Sequence, residues 1–191
     1  VFAPDVSILY PNGLRKGKYD LRGLDTTMEG AHRKGHFQGV CTIVEALLTA
    51  VAPDVAYFGE KDFQQLQIIR HIVTVRKIPV RIIGCPIVRE KSGLAMSSRN
   101  QRLSESSRAI AANIYRILKA ARQKFGTKSA IQVAKWVQKE VKSIPALKME
   151  YFEIANEVNL RPVIRKRKNR KYRAFIAVYI DGIRLIDNIA L

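Results

Sequence analysis

The strongest constraint in this sequence is a strand–helix–strand cadence between residues 55 and 83. Val55-Ala56-Tyr57-Phe58 is a short apolar run bounded by Pro53 and Gly59, which reads as a buried strand. Residues 62–76 follow with Phe63, Leu66, Ile69 and Val73 at helical spacing and Asp62 placed to cap the start. A second strand-like stretch covers residues 80–83 and has the composition to continue past Pro86 towards Val88. Strand, helix and strand in that order predict a right-handed parallel crossover, a piece of a doubly wound α/β sheet. Such sheets take ligands beyond the carboxyl ends of their strands, so the Gly59–Asp62 turn is expected at the ligand edge.

Upstream, Val40, Ile43, Val44, Leu47, Leu48 and Val51 predict one buried stripe on a helix over residues 36–51, stopped by Pro53. The pattern changes after Arg99. Ser104 is placed to cap a helix bearing Ile110, Ile114, Ile117, Leu118, Ala121 and Phe125, with Gly126 as its stop. A helix over about residues 129–142 buries Ala130, Ala134, Val137 and Val141. Strands are expected at residues 151–155, 174–180 and 183–186, the last two joined by Asp181-Gly182, a dipeptide favoured in type I′ hairpins. The fold class expected is α/β, an incomplete parallel sheet followed by a small α+β domain. The domains expected are residues 1–90 and 91–191.

Four clusters have the chemistry of a site, and each also has a plainer explanation. Gly59-Glu60-Lys61-Asp62 joins a tight turn to a helix start that favours anions, with Lys61 suited to a phosphate oxygen and Asp62 to a Mg²⁺; an ordinary βα turn would look the same. Met96-Ser97-Ser98-Arg99, preceded by Gly93, offers two hydroxyls and a planar guanidinium for a polyphosphate, or simply a polar loop. Arg33 and Lys34, within Glu29-Gly30-Ala31-His32-Arg33-Lys34-Gly35-His36, are placed to meet a carboxylate at a helix N-terminus. His32 and His36 do not form a His-x-Gly-His signature, because two residues separate His32 from Gly35. Gln64-Gln65, on the first turn of the 62–76 helix, has donors and acceptors for a hydroxy acid.

Charge adds one feature. The formal net charge is +18, and residues 161–173, RPVIRKRKNRKYR, hold eight cations and no acid. A basic polyanion- or nucleic-acid-binding module is the alternative function this raises. It is disfavoured because only Tyr172 interleaves as a stacking platform, and the run reads as a solvated loop. No stretch approaches the roughly 18 consecutive apolar residues of a membrane span. Cys41 and Cys85 lie in apolar segments without metal-ligand spacing and read as buried free thiols of a cytoplasmic protein.

In combination the motifs resemble a known family. YPNG at residues 10–13, MEG at 28–30, KGHFQGV at 34–40, FGEKDFQQL at 58–66, GLAMSSRNQRL at 93–103 and RLIDNI at 184–189 are similar to pantothenate synthetases, the pantoate–β-alanine ligases. The resemblance implies a Rossmann-like nucleotidyltransferase domain with a C-terminal lid. It implies ATP-dependent joining of pantoate to β-alanine through a pantoyl adenylate, with ATP as substrate and Mg²⁺ as cofactor. A parallel sheet without its early strands would expose an apolar edge and face, so a homodimer or aggregation through that surface is expected. Gly59, Glu60, Lys61, Asp62, Val88, Met96, Ser97, Ser98 and Arg99 would hold ATP, with Lys61, Ser97, Ser98 and Arg99 catalytic and Asp62 near the metal. Gln65, Arg33 and His36 would line the pantoate site. The family's His-x-Gly-His segment is not found in these 191 residues. Val1-Phe2-Ala3-Pro4 reads as the tail of a buried strand, so the chain is expected to be a fragment, inactive alone.

Overall fold

The computed structural model describes residues 1–11, 13 and 18–191, so Asn12 of the 10–13 segment lies outside the described residues. The chain divides into two compact units, Val1–Cys85 and Pro86–Leu191.

The first unit carries helices α1 (Val6–Leu9), α2 (Met28–His32) and α3 (His36–Val51), then strand β1 (Val55–Gly59), a 3-10 turn (Glu60–Asp62), α4 (Phe63–Val75) and strand β2 (Arg81–Cys85). β1 and β2 pair in parallel, from Val55 opposite Arg81 to Gly59 opposite Cys85, with α4 as the crossover. Helix α3 ends because Ala52 turns to φ +45° and Pro53 cannot continue the ladder. Leu48 of α3 packs with Ile69 and Val73 of α4, and Ala56, Phe58 and Ile82 of the strands, with Val80 just before β2, close this core.

The second unit carries a 3-10 turn (Ser98–Arg102), helices α5 (Glu105–Ala111), α6 (Asn113–Thr127) and α7 (Ala130–Lys142), and strands β3 (Lys148–Asn156), β4 (Tyr172–Ile180) and β5 (Ile183–Ala190). The strands form an antiparallel sheet in the order β3-β4-β5. Asp181 and Gly182 both take positive φ, as a type I′ turn requires. Alternate residues of β4, Ala174, Ile176, Val178 and Ile180, meet Ile114, Ile117 and Leu118 of α6 and Val133, Val137 and Val141 of α7 in one buried core. Ser129 and Gln132 exchange bonds as a capping box at the start of α7.

The α/β class and the parallel crossover are borne out. Several local expectations are not. Residues 1–4 form no strand, and Val1 and Phe2 are exposed, because among the described residues no strand lies alongside to share a ladder. The buried face of α3 runs through Phe37, Cys41 and Leu48, while Ile43 and Val51 are exposed. Helical periodicity marks an apolar stripe, but contact with α4 decides which part of it is covered. Asp62 precedes α4 without a side-chain capping bond, since the 3-10 turn already leads the backbone into the helix. β2 stops at Cys85, before Pro86.

The helix expected after Ser104 is interrupted at Ala112. There Asn113 Nδ2 donates to the Ile110 carbonyl and competes with the helix ladder. Gly126 lies inside α6 rather than ending it. In α7 the buried position is Val133, with Ala134 only half-buried. Cys41 is buried, and burial pushes its thiol up to about 12, but Cys85 is half-buried at the end of its strand.

Candidate functional site

The residues singled out from sequence fall into two sets, one in each unit. In the first unit, β1 delivers Gly59 in extended conformation at its carboxyl end, and the 3-10 turn presents Glu60, Lys61 and Asp62 before α4 begins. Lys61 is half-buried and Asp62 exposed. This is the strand-end position at which open α/β sheets receive anionic ligands.

Gln64 fixes that edge in place, and here the sequence reading needs correction. Its side chain does not face a ligand but is buried at 3% exposure. Nε2 donates to the carbonyls of Leu24 (2.7 Å) and Thr27 (3.0 Å), and Oε1 accepts from the Glu29 N–H (3.0 Å). All three bonds run from the first turn of α4 to the approach and first turn of α2. A glutamine supplies donors and an acceptor on one planar group, which is what this junction requires. Gln65, the next residue, remains half-buried beside it.

Gly30 tightens the same junction. A Cβ there would sit 1.9 Å from the Asp25 carbonyl oxygen, so no side chain fits. Arg33 and His36, at the turn from α2 into α3, are brought together: Arg33 Nη1 lies 2.9 Å from His36 Nε2 and 3.6 Å from the Glu29 carboxylate. The Arg33 guanidinium stays partly exposed.

In the second unit, residues 88–96 double back. The Met96 N–H donates to the Val88 carbonyl (2.9 Å), the Glu90 N–H to the Leu94 carbonyl (2.9 Å), and Gly93 turns the chain at φ +93°. Val88 and Met96 are both exposed. Ser97 then accepts from the Arg99 N–H at 3.2 Å, starting the 3-10 turn, and Arg99 Nη1 donates to the Arg184 carbonyl of β5 at 3.3 Å. Ser98 and Arg99 are exposed and Ser97 half-buried.

The support beneath this loop was missed from sequence. Asn100 is 2% exposed, and its Nδ2 donates to the Glu90 carboxylate (2.7 Å) and the Ala95 carbonyl (3.0 Å). Glu90 in turn accepts two bonds from Arg108, each 2.9 Å. That guanidinium, followed by Asn100, holds the Glu90 carboxyl below the usual carboxylate range. Arg89 donates to both oxygens of Asp187 (2.7 and 3.0 Å), and its guanidinium lies 3.6 Å from the centre of the Tyr115 ring. The loop bearing Ser97, Ser98 and Arg99 is therefore clamped by two arginine–carboxylate pairs. Only the charge alternation in Arg89-Glu90 hinted at this, since the partners lie 18 and 98 residues away.

Among the described residues no group of three or more His, Cys, Asp or Glu side chains forms a metal cage. Asp62 is exposed at the end of the 3-10 turn, with its carboxylate open to solvent. Among the described residues no helix is long and apolar enough to cross a membrane.

Comparison with known proteins accords with this layout. A pantothenate synthetase of Christiangramia forsetii is 53% identical over 191 residues, covering all of this chain and 68% of that protein. A crystal structure of pantothenate synthetase from Thermus thermophilus superposes with a TM-score of 0.89 at 38% identity, over 98% of this chain and 68% of that one. A pantoate-β-alanine ligase from Francisella tularensis, complexed with β-γ ATP and β-alanine, matches at TM-score 0.72 and 33% identity, over 96% of this chain and 61% of that one. The sequence profile of the pantoate-β-alanine ligases matches residues 1–190, and the chain belongs to that family.

Proposed function

We propose that this chain serves the ATP-dependent condensation of pantoate with β-alanine. The observation that carries the reading is the family match across residues 1–190. The relative solved with an ATP compound and β-alanine supports the choice of substrates.

The reaction takes two steps. A carboxylate oxygen of pantoate attacks the α-phosphorus of ATP. An O–P bond forms, the bond to the β-phosphate oxygen breaks, and pyrophosphate leaves with the electron pair. The amine of β-alanine then attacks the acyl carbon of pantoyl adenylate; a C–N bond forms, the C–O bond to AMP breaks, and the nitrogen sheds its proton.

Both the nucleophile and the leaving group are anionic, so the protein's task is to fix positive charge and donors around them. Lys61 suits a phosphate oxygen at the carboxyl end of β1, with the Gly59 and Glu60 backbone beside it. Ser97, Ser98 and Arg99 supply two hydroxyls and a fork for the phosphate tail, and Met96 and the Val88 backbone suit the adenine. Gln65, Arg33 and His36 suit the hydroxyls and carboxylate of pantoate. Asp62 would hold Mg²⁺, whose charge offsets that of the phosphates. No side-chain nucleophile is required; orientation of the two substrates supplies much of the remaining acceleration.

The second unit's role as a lid belongs to the same proposal, as do a domain division at residues 90/91, a cytoplasmic location and a homodimer. The exposed Ile43, Val51, Tyr57 and Val75 of the first unit support association. Light scattering should return twice the chain mass, and a monomer would remove the dimer from the proposal.

The reaction is tested by joining this 191-residue stretch to the part of the 53%-identical relative that it does not cover. AMP release is expected only when ATP, pantoate and β-alanine are all present. Release that ignores pantoate would overturn the reading. Arg99→Ala in that chimera should lower kcat/KM by about a hundredfold, the scale of losing one charge-stabilising donor.

A further inference from the structure

The basic run forms an exposed loop between β3 and β4. Asn156, Arg161, Arg165, Arg167, Arg170 and Tyr172 contribute to the wall of a cavity of about 550 Å³ between the end of β3 and the start of β4. That size lies within the range of small-molecule sites. Two cations of the run are committed elsewhere. Lys166 reaches the Phe125 carbonyl and sits over the Phe125 ring, and Arg173 pairs with Glu157 and Asn188. The four arginines of the cavity are different: among the described residues none of their guanidiniums pairs with a carboxylate. From Val158 to Ile180 the sequence contains no acid that could neutralise them.

The frame holding these arginines is bonded at several points. Asn156 Oδ1 accepts from the N–H groups of Val158 (2.9 Å) and Asn159 (3.2 Å), while the Asn156 N–H donates to the Arg161 carbonyl at 3.0 Å. The Val163 N–H donates to the Ile154 carbonyl at 2.9 Å, and the Arg167 N–H to Tyr172 Oη at 2.7 Å. The backbone is thus fixed while four unneutralised guanidiniums share one hollow. Clustering like charges is unfavourable for an isolated fold, and an anion relieves it.

This hollow is not the loop assigned to the ATP tail. The turn bearing Arg99 touches β5 at Arg184, which pairs with Tyr179 of β4. The cavity adjoins Tyr172, at the other end of the same strand. Seven residues of strand separate the two positions by about 24 Å.

We infer that this cavity is a second anion site, taking a compact ligand with two or more phosphate groups. Each guanidinium can fork onto phosphate oxygens, which favours phosphate over a single carboxylate. A single-stranded nucleic acid fits less well. Its bases need open aromatic faces, and Tyr172, the aromatic of this wall, is 7% exposed with its hydroxyl bonded to the loop.

The test is calorimetric titration of the 191-residue chain with inorganic tripolyphosphate at about 0.15 M salt. Three variants accompany the parent. One replaces Arg161, Arg165, Arg167 and Arg170 with Ser; a milder one carries only Arg161→Ser and Arg170→Ser. The third replaces the exposed Arg122, Lys128, Lys135 and Lys139 of the helical layer with Ser, lowering net charge equally. Far-UV circular dichroism and Trp136 fluorescence check folding, and the milder variant decides if the first misfolds. The cavity variants should bind about tenfold or more weakly, since charge-assisted bonds are lost, and the helical control should change by less than about twofold. Equal losses in both would assign the binding to net charge, and no binding by the parent, or no loss in the cavity variants, would remove the site. Single-stranded RNA that binds the parent through these arginines while tripolyphosphate fails to displace it would overturn the compact-ligand inference. ATP that displaces tripolyphosphate would identify nucleotide phosphates as one source of the ligand, consistent with the site.

Discussion

The two units place site residues by different physical means. In the second unit the loop carrying Ser97–Arg99 rests on a three-stranded sheet whose other components meet two helices in a continuous apolar core. Three arginine–carboxylate pairs lie along that sheet: Arg89 with Asp187, Arg173 with Glu157, and Arg184 with Glu150 at 2.6 Å. In the first unit two strands pair, and the front of α4 is pinned to α2 and its approach by one glutamine, while Gly30 of α2 closes tightly on Asp25. Directional polar bonds pin that edge, whereas in the second unit arginine–carboxylate clamps tie the loop to a sheet backed by a broad apolar core. Damage to one unit should therefore have a different size and reach from damage to the other.

The single tryptophan makes the comparison measurable. Trp136 packs against the core of the second unit, with Lys124 Nζ 4.7 Å from the centre of its ring. Its fluorescence reports that unit, whereas far-UV circular dichroism reports both. The largest expected effect is Asp187→Ala. It strands Arg89, whose side chain is 16% exposed, without its carboxylate. Unpairing a buried charge costs about 3 kcal/mol. The Trp136 denaturation midpoint should fall accordingly, with little change in the part of the dichroism transition belonging to the first unit. If both transitions fall together, the two units unfold as one and the comparison fails.

Much of the second unit was legible in sequence because its core side is periodic. Ile114, Ile117, Leu118, Ala121 and Phe125 recur at helical spacing, and all are buried. Asp181-Gly182 similarly announces its hairpin through backbone conformations that few dipeptides accept. The Gly59–Asp62 turn follows β1 as the strand, crossover and strand pattern predicts. What stayed hidden depends on distant partners. Gln64 could be placed on the first turn of α4, but its role needs Leu24, Thr27 and Glu29, none of them near in sequence. Nothing in the sequence near Asn100 marks it as the loop's anchor, a role that needs Glu90 and Ala95. Exposure of Ile43 and Val51 escaped the reading because an apolar stripe carries no record of how much of it is covered.

A smaller effect is expected at Gly30. Gly30→Ala sets a methyl carbon against the Asp25 carbonyl and forces the α2 junction to move. Overpacking of this kind costs about 2 kcal/mol. The loss should appear in the first unit as faster hydrogen exchange at Glu29, whose amide is held by Gln64, with the Trp136 midpoint unchanged. A matching fall in the Trp136 signal would show that this edge also supports the second unit.

The smallest effect compares two carboxylates of the second unit whose signs oppose. Arg108 holds the Glu90 carboxyl low, so its contribution is present above the unfolded pKa and disappears as pH falls through the folded one. Glu153, opposite Phe175 on β3, is raised by burial, with a backbone bond opposing. A raised acid favours folding while protonated, below its unfolded pKa, and loses that contribution as pH rises through the folded value. At neutral pH its charge is a liability. Glu153→Gln should raise the Trp136 midpoint slightly near pH 7, and the gain should shrink as pH falls through the raised folded pKa and be gone below about pH 4. Glu90→Gln should lower the midpoint at neutral pH and converge with the parent in acid. Two opposite slopes would locate the second unit's polar stability in its arginine–carboxylate clamps rather than in carboxylates generally; parallel slopes would break that distinction.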